Sequence, residues 1–199
     1  IDRFETAIEN YLLKISSTDI NDTTNELVME MLHSVSDIER ISDHCMNIAE
    51  VARKNAEDGI VFSDFGKKEL SIIGTAVTEI LTMATEAYSK RSLEEALRIE
   101  PLEQVIDKIN FAIKDCHVKR LCDGLCSVEG GVSLLELLTS LERISDHCSN
   151  IALYIVQSLQ KDVPDINNAH ILADRIHNEP TNEYTDAYKY YEQKYKIEP

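Results

Sequence analysis

The sequence predicts an all-α fold: an antiparallel helical bundle built from two related units. Three observations predict it. Only six Gly, four Pro and no Trp occur among 199 residues, so helix breakers are few. Apolar residues recur at three- and four-residue spacing over long runs. An eleven-residue phrase also occurs twice, as Glu39-Arg40-Ile41-Ser42-Asp43-His44-Cys45-Met46-Asn47-Ile48-Ala49 and as Glu142-Arg143-Ile144-Ser145-Asp146-His147-Cys148-Ser149-Asn150-Ile151-Ala152. The copies lie 103 residues apart and differ only at Met46 and Ser149, which marks an internal duplication. The unit is too long for a solenoid repeat. We therefore expect a first unit over 1–62, a second over 63–163 and a helical tail over 164–199.

Each element follows from local pattern. Residues 1–16 place Ile1, Phe4, Ile8, Tyr11, Leu12 and Ile15 at helical spacing. Ser16-Ser17-Thr18-Asp19 stops that helix and caps a long one over 20–57, which ends near Asp58-Gly59. Ser63-Asp64 caps a helix over 64–89 with Phe65, Leu70, Ile73, Val77, Ile80 and Leu81 on its apolar face. Ser92 caps a further helix, Leu93 to Leu121, which Pro101 interrupts by removing a backbone hydrogen bond. The break falls beside Glu100, Glu103 and Asp107. It is either a way to aim paired carboxylates at one site or a local irregularity.

Cys122 to Gly131 reads as a loop, and 132–161 as the second long helix, stopping before Pro164. A short helix over 165–177 and another from Asn182 to Lys196 form the tail. Tyr184, Tyr188, Tyr191 and Tyr195 share one stripe of the last, suited to docking on the chain's own bundle or on a partner.

Within each phrase the acids are spaced for a shared face. Glu39, Asp43 and Asn47 form one oxygen-bearing stripe, and Glu142, Asp146 and Asn150 its twin. Leu32, Val35, Ile38, Met46 and Ala49 surround or adjoin the first. Carboxylates at the margin of an apolar face repel each other unless a proton or cation neutralises them. Oxygen donors of this kind suit hard or borderline cations. The competing reading is a solvated face with local ion pairs. His44 and His147 lie elsewhere on the wheel, as packing residues, as supports to ligands or as ligands. Glu103 and Asp107 are four apart as well. Ile106-Asp107 to Ile113 echoes Ile1-Asp2 to Ile8, which makes Asp2 the twin of Asp107. The first unit then lacks a counterpart of the 64–89 helix, and its bare apolar layer invites a homodimer or an upstream segment.

Net charge is −16 with pI about 4.7, which opposes nucleic acid or anionic lipid as direct partners. Five Cys, an odd number, read as reduced, buried thiols, with Cys45 and Cys148 on apolar faces, and point to a cytoplasmic compartment. No run approaches about 20 apolar residues, so no membrane span is expected. No nucleophile–base set or Gly-rich phosphate loop is present, so no enzyme is expected. A four-helix di-iron oxidase needs two Glu-x-x-His motifs, and only Glu30-Met31-Leu32-His33 fits. A purely structural dimerisation bundle is the remaining alternative.

Glu-Arg-Ile-Ser-Asp-x-x-x-Asn, twice on long helices and paired with Glu-x-x-x-Asp on the preceding helix, resembles the PhoU family of phosphate-uptake regulators, built from two three-helix bundles. The resemblance implies multinuclear metal sites, iron or zinc, at Glu103, Asp107, Glu142, Asp146 and Asn150, and in the first unit at Asp2, Glu39, Asp43 and Asn47. It implies a regulatory domain that modulates phosphate transport, with a membrane phosphate transporter as partner, in the same chain upstream or as a separate protein. Metal positions would also accept phosphate oxygens. The extra tail looks most like the cytoplasmic PhoU-like domain of bacterial sodium/phosphate cotransporters, at the inner face of the membrane. A PhoU-type regulator separate from the transporter is the alternative.

Overall fold

The computed structural model describes residues 1–160 and 169–197. Every regular element among them is a helix: α1 (Asp2–Ser16), α2 (Asp22–Asp58), α3 (Asp64–Lys90), α4 (Leu93–Ala96), α5 (Ile99–Cys122), α6 (Val128–Leu159), α7 (Ala169–Asn178) and α8 (Asn182–Lys194).

The starts are set by side-chain caps. Ser63 Oγ accepts from Gly66 N, Ser92 from Glu95 N, Ser127 from Gly130 N and Thr181 from Tyr184 N. Gly59 ends α2 in the left-handed region at φ 69°, where a glycine carries no steric penalty.

Three helix starts differ from the sequence expectation. The cap of α2 is Asn21, whose side chain accepts from Thr24 N, not the Ser16 to Asp19 stretch. The break before α5 comes at Leu97 and Arg98, not at Pro101. Pro101 lies in the first turn of α5, where its missing N–H would have had no helical partner. Helix α6 starts at Val128, because Ser127 caps it and Gly130 and Gly131 sit inside the first turn instead of in a loop. In the tail, α7 begins at Ala169; the expectation of helix over 165–168 falls outside the described residues.

Helix α6 is the hub. It packs on α2, α3, α4, α5 and α7, while α1 packs on α2 and α8 on α5. Its sequence is apolar on more than one face, with Leu134, Leu138, Ile144, Cys148, Ile151 and Ile155 all buried. The main core joins these to Ile73, Ile80 and Ala84 of α3 and Ile99, Leu102, Ile106 and Ile113 of α5. Tyr191 and Tyr195 of α8 are buried in the same core, so two residues of the tyrosine stripe dock on the chain's own bundle. Helix α3 is long and apolar enough to cross a membrane by length and composition, which the sequence reading did not anticipate; its apolar residues Ile73, Ala76 and Ile80 face the core.

The two units are unequal. Ile106 and Ile113 are fully buried, whereas their repeat partners Ile1 and Ile8 are 57% and 37% exposed. In the second unit α3 covers α5 and α6. No described helix does the same for α1 and α2, and Phe4, Tyr11 and Met46 stand in solvent. Cys45 is exposed and Cys148 buried, against the expectation that both thiols are buried. The copies of the phrase meet where α2 crosses α6: the rings of His44 and His147 stack at 5.8 Å.

Buried ion pairs tie the frame. Arg120 of α5 grips Glu69 of α3 with two hydrogen bonds of 2.8 and 2.6 Å. Truncating the enclosed Ile106 to Ala should destabilise by about 2–5 kcal/mol. The repeat-equivalent Ile1→Ala should change stability by less than about 0.5 kcal/mol. Urea denaturation of the two variants checks the contrast.

Candidate metal centre

Starting α5 at Ile99 fixes the phase of its acids. Glu100, Glu103 and Asp107 fall along one stripe over two turns, facing α6. Helix α6 answers with Glu142, Asp146 and Ser149. Glu103, Asp107 and Asp146 each offer a carboxylate oxygen, all within 4.8 Å of one another. Glu103 is buried, and Asp107 Oδ1 is a buried oxygen with no hydrogen-bond partner among the described residues. Two of these acids, Glu103 and Asp107, resist ionisation. Burial first, then the neighbouring charges of Glu100 and Asp107, pushes the Glu103 carboxyl up to about 9. Burial, Asp146 and Glu142 push Asp107 up to about 6.

Other expected ligands have other partners. Glu142 accepts from Asn110 Nδ2 at 2.6 Å and Lys114 Nζ at 3.2 Å, at the flank of the trio. Asn150 donates to Asp37 at 3.4 Å, away from the acids it was grouped with. Asp37 also binds His147 Nδ1 at 2.6 Å, so this histidine is held in the α2–α6 interface. In the first unit Asp2, Glu39 and Asp43 bring their oxygens within 4.8 Å, a more exposed copy of the trio. Desolvation and the Asp43 and Glu5 carboxylates raise the Glu39 pKa. Asn47 is exposed and lines a shallow depression with Glu50 and Val132, apart from that group.

A second grouping was not expected. Glu100, Glu103 and His177 of α7 also bring ligand atoms within 4.8 Å. His177 Nε2 lies 2.7 Å from Glu100 Oε1, and Ser149 Oγ donates to Glu100 Oε2. Burial and the Glu100 and Glu103 charges raise the pKa of the nearby Tyr184 phenol. The tail thus closes over the acidic seam. One signal in the sequence pointed here: Ser149 stands at the single position at which the phrases differ, and it serves Glu100. No spacing could have pointed to His177.

The PhoU domain model matches residues 1–52 and 70–155, which is more than half the chain. The chain belongs to the PhoU family. A phosphate-specific transport system accessory protein PhoU homolog 1 from Thermotoga maritima is 27% identical over 129 residues, covering 65% of this chain and 55% of that protein. A PhoU homolog from Pseudomonas putida is 30% identical over 131 residues, covering 65% of this chain and 50% of that one. The chain therefore spans about half the length of these relatives. The crystal structure of PhoU from Pseudomonas aeruginosa superposes with a TM-score of 0.75 at 24% identity, over 79% of this chain and 75% of that one. A PhoU structure from Streptococcus pneumoniae gives 0.71 at 21% identity, over 83% and 76%. Both share the helical-bundle fold. PhoU is a regulatory family without enzymatic activity, as the absence of a nucleophile–base set in the sequence suggested.

The raised carboxyls fix a pH dependence. A group with a raised folded-state pKa stabilises fully below its unfolded value, and that contribution is lost as pH climbs through the folded one. For Glu103 the window runs from the ordinary carboxylate range up to about 9. Metal-free protein should therefore lose stability across this range in denaturation titrations, and Glu103→Gln should flatten the slope. An unchanged slope in that variant would contradict the assignment.

Proposed function

We propose that this domain is a metal-loaded PhoU-type regulator of phosphate uptake, acting on a membrane phosphate transporter from the cytoplasmic side. The observation that carries the proposal is the convergence of Glu103, Asp107 and Asp146 at a part-buried seam, with a buried Asp107 oxygen that has no hydrogen-bond partner. Removing three like charges from water costs several kcal/mol unless something positive compensates. A cation there supplies that charge, and the donor set fits one. Glu103, Asp107 and Asp146 would hold it, with Glu142 able to leave Lys114 and join them. Asp2, Glu39 and Asp43 would form the equivalent site of the first unit.

The partner follows from the relatives, which are named as accessory proteins of phosphate-specific transport systems. Those names favour a regulator separate from its transporter over the cytoplasmic part of a sodium/phosphate symporter. Iron or zinc fits better than magnesium or calcium where the imidazole of His177 joins Glu100 and Glu103, because nitrogen donors favour transition metals. A cation at the seam locks α5 against α6, and through His177 it also holds α7. Occupancy thereby sets the surface that the domain presents to a transporter.

Elemental analysis of purified protein tests the reading. We expect a near-stoichiometric transition metal in wild type, and a loss of it in Asp146→Ala combined with Glu103→Gln. Metal loading should raise the melting temperature of wild type and leave that variant unmoved. Equal metal content in the two proteins would remove the seam as the binding site.

A further inference from the structure

A cavity of mixed polar and apolar lining lies ten residues further along α5 from Asp107, about 15 Å of helix axis. It occupies about 250 Å³ where the α2–α3 turn meets the α5–α6 turn. Its lining includes Ser63 and Gly66 at the start of α3, Ser127 and Gly130 at the start of α6, and His117 and Arg120 from the end of α5. Two long helices, of 27 and 32 residues, thus begin at one space. Their dipoles place partial positive charge there, and each first turn carries N–H groups beyond the one its serine caps.

The side chains supply an independent sign of a ligand. His117 is 5% exposed, and its Nε2 is buried without a hydrogen-bond partner. That nitrogen faces the first turn of α6, 2.5 Å from where a Cβ on Gly131 would sit, so only glycine leaves room for the ring. Nδ1 is turned the other way, 3.8 Å from Cys126 Sγ. The Nδ1–thiol contact has no fixed direction; when the thiol donates, the neutral ring carries its proton on Nε2. Arg120, whose other nitrogens hold Glu69, keeps a buried Nε with no partner. Buried polar atoms left unmatched are costly, and these two belong to residues that line one cavity.

We propose that this cavity binds a small oxyanion of the phosphate class, held by His117, Arg120 and the first-turn N–H groups of α3 and α6. The volume has room for an inorganic ion. Glu69 offsets the Arg120 charge, so the neutral donors and helix dipoles carry the recognition. The site is independent of any cation at the acidic seam.

The test is calorimetric titration of chelator-treated protein with inorganic phosphate, with sulfate and chloride as comparisons. Saturable one-site phosphate binding is expected, unchanged in Asp146→Ala. His117→Ala and Gly131→Ala should each weaken it by about tenfold or more, the loss of a hydrogen bond to a charged group. In wild-type protein, the His117 Nε2 resonance should move with phosphate and level off at the same saturation, a readout that needs no variant. Absence of saturable binding together with a static resonance overturns the proposal. So does binding that vanishes with chelation or Asp146→Ala and ignores His117→Ala, since the ion then sits on the acidic seam.

Discussion

Carboxylate groups held away from water at the α5–α6 seam set the terms for the rest of this structure. Glu100 and Glu103 alternate along α5 with Ile99, Leu102 and Ile106, all in the core, so the acids cannot swing outward without unpacking the helix. Their neighbours act as compensators. Ser149 and His177 serve Glu100, Gln104 serves Glu103, and Asn110 with Lys114 serves Glu142. In the trio of Glu103, Asp107 and Asp146, Arg143 reaches Asp146 at 3.3 Å, and the buried oxygen left without a hydrogen-bond partner among the described residues is Asp107 Oδ1. A protein that buries such a trio does so for a proton or for a cation.

Duplication explains how the frame arose and where it departs from symmetry. The phrase copies cross at α2 and α6 with their histidines stacked, a pseudo-twofold contact. Around that contact the halves diverge. The second unit has α3 as a third helix and the tail as a lid, and its acids are part-buried. The first has neither cover among the described residues, and its acids stand closer to water. The same residue types therefore sit in unlike electrostatic surroundings. The charges of the second trio interact more strongly with one another, since low dielectric sharpens electrostatic interaction.

Much of this was legible in the sequence. Helical period, serine caps and the repeated phrase foretold most of the helices and the face on which Glu103, Asp107 and Asp146 meet. The failures have physical causes. Pro101 signals a break only if the helix is already running, and the start at Ile99 depends on packing of α4 that no local pattern records. Gly130 and Gly131 look like loop, yet the second admits the ring of His117 to a helix surface. Asn47 and Asn150 keep the four-residue spacing but sit a turn beyond the acids, one in solvent and the other on Asp37. His177 reaches Glu100 across 77 positions, a contact made by tertiary docking alone.

Cys45 and Cys148 follow the same six residues, Glu-Arg-Ile-Ser-Asp-His, but meet unlike fates. Cys148 is enclosed, and burial pushes its thiol up to about 12, while Cys45 opens to solvent. Oxidants and alkylating reagents discriminate between thiols by access and by thiolate content. Between these twins, damage in air begins at Cys45, and a thiol-reactive dye placed there would report on one half of the molecule while its counterpart stays silent.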